Sequence, residues 1–168
     1  MQTKPSLPVV TAIIERQQEG KTQVLVQTRW KPDRDPVYSG TLEIPAGVID
    51  EYENVYEALK REVFEETGLT ITKIKPDNKT KTYTTGKDDA SFGFMPFCCY
   101  QQLKNGRPWI GFAFLCEVED REPMPQLEEV KNIRWMDKEE LRSIFTTTPE
   151  QIFALQLGVL DYYFKSNL

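Results

Sequence analysis

The sequence predicts an α/β fold, a mixed α/β sandwich made as one domain over residues 1–168. Three observations carry that expectation. Short β-branched runs open the chain, one sharply punctuated amphipathic helix follows, and further strands lead into two closing helices. This order lacks the regular strand–helix alternation of a doubly wound parallel sheet. A chain of 168 residues suits one core, and no repeat, low-complexity stretch or linker divides it.

Residues 8–15 (PVVTAIIE) are β-branched and end at the polar QQEGK turn, the pattern of a strand. Residues 22–29 alternate Val24, Val26 and Thr28 against Leu25 and Gln27 and should pair with that strand. Residues 30–40 hold two prolines, two aspartates and a glycine, which spells a loop. Residues 41–44 read as a short strand stopped by Pro45, Ala46 and Gly47. A helix should then begin after Asn54, a good N-cap, with Glu57 completing a capping-box-like pair. Val55, Leu59 and Val63 form its buried stripe, and Gly68 followed by Leu69 ends it as a left-handed cap. Strands are expected over 71–75, 93–103, 109–118 and 130–135. Pro96 places the second at an edge or delays its start. Helices over 137–145 and 149–164 close the chain, with Pro149 in a first turn. The last is apolar on more than one face (Ile152, Phe153, Leu155, Leu157, Val159, Leu160). It is therefore either deeply buried or part of a subunit contact, which keeps a homodimer in view.

Apolar residues make up 39% of the chain and charged residues 28%, the composition of a soluble globular protein. No apolar run nears the ~18 residues that a membrane span needs. Residues 1–8 lack the charged-then-apolar pattern of an export signal. The net charge is −5 and the 21 Lys and Arg residues are scattered, which disfavours a nucleic-acid partner. Cys98, Cys99 and Cys116 show no CxxC spacing, and reduced structural thiols suit a cytoplasmic protein. Histidine is absent altogether. That excludes Ser-His-Asp and Cys-His mechanisms and His-ligated zinc, and leaves hydrolysis to carboxylates, Lys, Tyr or a hard metal ion.

Glu62, Glu65 and Glu66 stand at i, i+3 and i+4 and so project from one face of the predicted helix. They occupy its last turns, where the helix dipole is already negative and like charges cost roughly 0.3–1 kcal/mol each. One reading is a solvated acidic face, partly neutralised by Lys60 and Arg61. The other is an oxygen-ligand site for Mg²⁺ or Mn²⁺.

Local context separates the two. Residues 47–69 (GVIDEYENVYEALKREVFEETGL) resemble the Nudix box, G-x5-E-x7-R-E-U-x-E-E-x-G-U with U aliphatic. Gly47, Glu53, Arg61, Glu62, Val63, Glu65, Glu66, Gly68 and Leu69 fill every defined position. At average residue frequencies such agreement arises on the order of once in a billion windows. The approach Leu42-Glu43-Ile44-Pro45-Ala46-Gly47 is similar to that of the family, as is the later Glu128–Trp135 segment followed by Lys138-Glu139-Glu140-Leu141. The resemblance implies the α/β/α Nudix sandwich with a mixed central sheet.

It also implies roles. Glu62, Glu65 and Glu66, with the Gly47 carbonyl, would hold Mg²⁺ (or Mn²⁺). Arg61 would fix a neighbouring carboxylate and Glu53 would brace the loop. The general base would be a box glutamate, Glu65, or a carboxylate on a later loop, for which Glu129 stands in the matching place. The substrate would be a small nucleotide-like diphosphate. The Glu-Ile-Pro-Ala-Gly approach resembles branches acting on ADP-ribose or nucleotide sugars, which makes Glu43 a substrate-side candidate, with Arg29 and Arg34 candidates for the second phosphate. Yet the proline that such branches often carry about sixteen residues beyond the box is missing here, where Asn or Thr-Gly-Lys stands. Trp30, Tyr38, Phe92 and Trp109 are candidate platforms for a base, each with core or loop packing as the alternative. Two other functions stay open: a house-cleaning nucleoside triphosphate pyrophosphatase, and a Nudix-fold ligand sensor without catalysis. The intact box disfavours the sensor.

Overall fold

The computed structural model describes residues 5–76, 80–104, 106–125 and 128–166. The N-terminal reading therefore falls partly on residues 1–4, and Asn78 lies at 77–79, both outside the described residues.

Strand β1 (Leu7–Gln18) is the spine. Its first half runs parallel to β7 (Trp109–Val118), in register from Leu7 against Trp109 to Ile14 against Cys116. Its second half turns into a hairpin with β2 (Lys21–Arg29), pairing Glu15 with Val24. Two sheet regions thus share one strand. Around β7 gather β5 (Ile71–Lys75) and β6 (Cys98–Gln101), both antiparallel to it. Around β2 gather β3 (Leu42–Glu43) and β8 (Val130–Asp137), also antiparallel. The short β4 (Ala46–Val48) lies antiparallel on β1, pairing Val10 with Gly47.

Alternation along the strands sorts the core into two layers. Val9, Ile13, Val24 and Val26 face one way, toward α2 (Lys138–Thr147) and α3 (Leu157–Lys165). Val10, Ala12, Ile14 and Leu25 face the other way and are covered by α1 (Val55–Thr67) through Val55, Leu59 and Val63. Because both faces of β1 are covered, it reads as a continuous apolar run. The result is a mixed sheet between helices, the sandwich expected.

Helix α1 starts where the cap places it, the Asn54 side chain accepting from the Tyr56 N–H at 2.9 Å. Gly68 ends it at φ 69°, donating to the Phe64 carbonyl. Glu57 does not complete a capping box; its carboxylate pairs with Lys60 at 2.8 Å.

Three other expectations need correction. The segment 93–103 is strand only at β6, since Pro96 delays pairing and Phe92 and Phe94 turn into the α1-side core. Pro45–Gly47 do not merely stop a strand, because Ala46–Val48 re-enter the sheet as β4. The segment 149–164 is not one helix. Short 3₁₀ turns at Pro149–Gln151 and Ala154–Gln156 precede α3. Between them the Phe153 N–H donates to the Leu42 carbonyl at 2.8 Å. The Gln156 amide also takes both backbone groups of Ile44, at 2.8 and 2.7 Å. Those bonds to the strand edge outweigh continued helix. The apolar faces of this segment are spent inside the chain, with Val159, Leu160 and Tyr163 buried. Among the described residues, no helix is long and apolar enough to cross a membrane.

Candidate active site

The C-terminal half of α1, strand β4 and the β2–β3 edge meet at one cleft of about 480 Å³. Gly47, Glu62, Glu65, Glu66, Arg29 and Glu129 all line it, so the fold gathers residues far apart in sequence. Arg61 and Glu43 sit behind these in the wall.

Arg61 organises the box. Its Nε and Nη2 each bond a Glu53 oxygen at 2.8 Å, a two-point pairing that fixes both side chains. Nη2 also donates to the Val48 carbonyl at 3.0 Å, and Nη1 to Glu62 at 2.7 Å. Glu53 in turn accepts from the Asp50 N–H at 3.0 Å. The guanidinium holds the Glu53 carboxyl below its ordinary range, and its own charge is reinforced. The loop 48–53 is thereby tied to the helix.

The three helix glutamates are not equivalent, which refines the expectation of one acidic face. Glu65 is the most open, 41% exposed against 14% for Glu62. Glu62 leans on Gly47, where any Cβ would fall within its carboxylate. Burial raises the Glu62 carboxyl, with Arg61 opposing. Glu66 is buried, its Oε2 accepting from Gln27 Nε2 at 2.8 Å and from the Ala46 N–H at 3.0 Å. Burial first, and then the nearby Glu43 charge, raise its carboxyl.

Among the described residues, no three acidic groups converge as a closed metal cage. One Glu62 oxygen, Oε1, accepts from Arg61, and Glu66 Oε2 accepts from Gln27 and Ala46. The donors nonetheless fit a hard divalent cation. All are oxygens, the missing Cβ of Gly47 brings its backbone against Glu62, and among the described residues no cationic side chain bonds the buried Glu66 directly.

The remaining candidates are placed as follows. Arg29 spends its fork on Asp35 (2.8 Å) and Glu43 (3.1 Å) and stacks on the Phe153 ring, so it braces the wall. Glu43 is buried, its carboxyl raised by burial with Arg29 opposing. Glu129 is held between Lys31 and Arg34, each at 2.7 Å, and the bond from Lys31 lowers its carboxyl. Tyr38 and Trp109 line the cleft, whereas Trp30 lies under Lys131 and Phe92 is core. Sequence reasoning missed Lys31, Gln102 and Arg107, which line the cleft, and Gln27 beneath it. For Gln27 a signal existed: alternation along the strand puts it on the same face as Leu25, and in the structure both are buried.

A comparison with protein-family models matches residues 5–156 to the NUDIX domain. Among curated proteins none matches the chain. Solved structures resemble it at low identity. The NUDIX domain of Shewanella oneidensis NrtR, complexed with ADP ribose, superposes with a TM-score of 0.66 at 15% identity, covering 96% of this chain and 88% of that one. The MutT protein from Methanosarcina mazei Go1 gives 0.63 at 19%, covering 99% and 100%. A C. elegans Ap4A hydrolase binary complex gives 0.60 at 19%, covering 94% of each. At these identities the likeness is one of fold.

Proposed function

Because this chain belongs to the NUDIX domain family and is thereby a Nudix-type hydrolase, we propose that it cleaves a diphosphate bond in a nucleoside-diphosphate-X substrate with Mg²⁺ or Mn²⁺. The observation that carries this reading is that Gly47, Glu62, Glu65 and Glu66 line one cleft together with Lys31, Arg34 and Arg107. Its carboxylates suit cations, and its basic side chains suit the phosphates those cations neutralise.

Glu62, Glu65, Glu66 and the Gly47 carbonyl would hold the metal. When bound, it supplies charge neutralisation at the diphosphate and acidifies the attacking water. Arg61 keeps Glu62 turned to the cleft, and Lys31 with Arg34 meets the phosphate oxygens at the mouth. Water attacks phosphorus, the bridging P–O bond breaks, and the leaving phosphate carries away the electron pair. Glu65 accepts the water's proton. It is favoured over Glu129, which two cations hold at 2.7 Å each, against the single, longer contact of Glu65 with Arg61 at 3.4 Å. Trp109 offers a flat apolar face for a base or ribose.

The test is a panel of ADP-ribose, nucleotide sugars, Ap4A and nucleoside triphosphates with Mg²⁺, reading phosphate after coupled phosphatase. Two monophosphate products support the reading. Pyrophosphate release from triphosphates would instead favour the house-cleaning reaction. Full turnover in excess EDTA would remove the metal from the mechanism.

A further inference from the structure

We propose that Gln27, on β2 and outside the box, is a positioning residue that aims Glu66 for metal binding without discharging it. The inference rests on the metal-dependent reading above and concerns how this chain prepares its buried ligand.

Gln27 and Glu43 are direct cross-strand partners of β2 and β3, and both are buried. The Gln27 Nε2 stands between two carboxylates, 2.8 Å from Glu66 Oε2 and 3.3 Å from Glu43 Oε1. Two acceptors facing one amide settle its orientation: nitrogen toward the acids, oxygen away. That leaves Gln27 Oε1 buried with no hydrogen-bond partner among the described residues. An amide oriented at such a cost is committed to the acidic side of the site. The strand is also shaped here. The β2–β8 register shifts between Val26 and Thr28, opposite Asn132 at φ 50°. The bulge falls where Gln27 turns to α1.

The chemistry explains why the residue is neutral. Glu43 already has a cation, Arg29, at 3.1 Å. A lysine at position 27 would satisfy Glu66 outright and compete with any metal for it. An apolar side chain would leave Glu66 and Glu43 facing each other with no donor between them. An amide donates to both and cancels neither charge. It also bonds Glu66 on Oε2, the oxygen that takes the Ala46 N–H as well. Among the described residues no hydrogen bond reaches Oε1, so that oxygen is left for a cation.

The experiment compares wild type, Gln27→Lys and Gln27→Met. Mn²⁺ binding is followed by electron paramagnetic resonance, and thermal melting is recorded in EDTA. Loss of an outer partner of a metal ligand typically weakens binding about 10–100-fold, and that weakening is expected in both variants. The melts should diverge: level or higher for Gln27→Lys, which gains a charge pair, and lower for Gln27→Met. A residue that only packs would lower both melts and leave Mn²⁺ affinity unchanged. If either folded variant binds Mn²⁺ within about threefold of wild type, the proposal is overturned. Wild type that binds no Mn²⁺ would overturn the metal-dependent reading itself, a separable failure.

Discussion

Glu62 closes against the α-carbon of Gly47, filling the space where any other residue would carry its Cβ. Gly47→Ala should therefore push the Glu62 carboxylate out of line. Turnover should fall by about 10²-fold, the usual cost of an ångström-scale misplacement. In a Glu62→Ala background the three atoms nearest that methyl are gone, so the second substitution should cost little more. A double-mutant cycle on melting and turnover checks this, and strict additivity would sink it.

Arg61→Lys tests the brace. Lysine cannot span Glu53 at two points while reaching Val48 and Glu62, so stability should fall by about 1–2 kcal/mol at pH 7. Glu53 is a carboxyl held low in the folded state. Its contribution is thus present above the ordinary value of about 4.3 and is lost as pH falls through the depressed folded one. Denaturant melts of both proteins should converge on acidification. A gap that persists undiminished below pH 3 or so would refute the assignment.

Glu66→Gln removes a buried charge while the amide oxygen can keep both bonds that Oε2 accepts. Turnover should drop by roughly 10²–10⁴-fold, about 2.7–5.4 kcal/mol of barrier. Stability without metal should move the other way. Burial and Glu43 raise this carboxyl in the folded chain. Folding therefore takes up protons, and the charge lowers stability progressively as pH rises from about 4.3 toward the raised folded value. In EDTA the variant should gain more over wild type at pH 8 than at pH 5. Near-normal turnover would refute the metal-ligand role, and equal melts at both pH values the buried-charge account.

The thiols should be dispensable for chemistry. None of the three cysteines lines the cleft, and burial pushes Cys98 up to about 11 and Cys116 upward as well. A Cys98→Ser, Cys99→Ser, Cys116→Ala protein should keep turnover within a few-fold once folded. Loss by orders of magnitude, with an unaltered melt, would reopen a thiol mechanism.

Much of the site was legible because it is local. Glu62, Glu65 and Glu66 lie on one helix whose ends Asn54 and Gly68 mark, so spacing puts them on one face, and the resemblance to the box adds Gly47 and the metal-binding role. The depth of each glutamate was not legible. Helical periodicity places Glu66 with Glu65 on a face but says nothing of the β2–β3 edge that buries one and leaves the other open. Lys31, Arg107 and Gln27 came from strands and turns whose approach to α1 is set by the sheet. The break in the segment 149–164 escaped for the same reason: its apolar pattern suits a helix, and the bonds to Leu42 and Ile44 that interrupt it are long-range. Arg29 lines the cleft, as a substrate-side residue would, but charge near a site looks free in one dimension. In three, Asp35 and Glu43 already hold it.

The clasp between Gln156 and Ile44 also sets an order of events during synthesis. Ile44, three residues ahead of Gly47, has both backbone groups held by a side chain that the ribosome adds 112 residues later. Strand β1 likewise waits for its parallel neighbour β7. A nascent chain can complete helix α1 from local signals, but the strand edge leading into the Gly47 loop docks only when the C-terminal segment has emerged. A polypeptide released before Gln156 would carry the whole signature of the enzyme with that edge left unfastened. Premature termination would then yield a chain whose Gly47 loop lacks the support of Gln156.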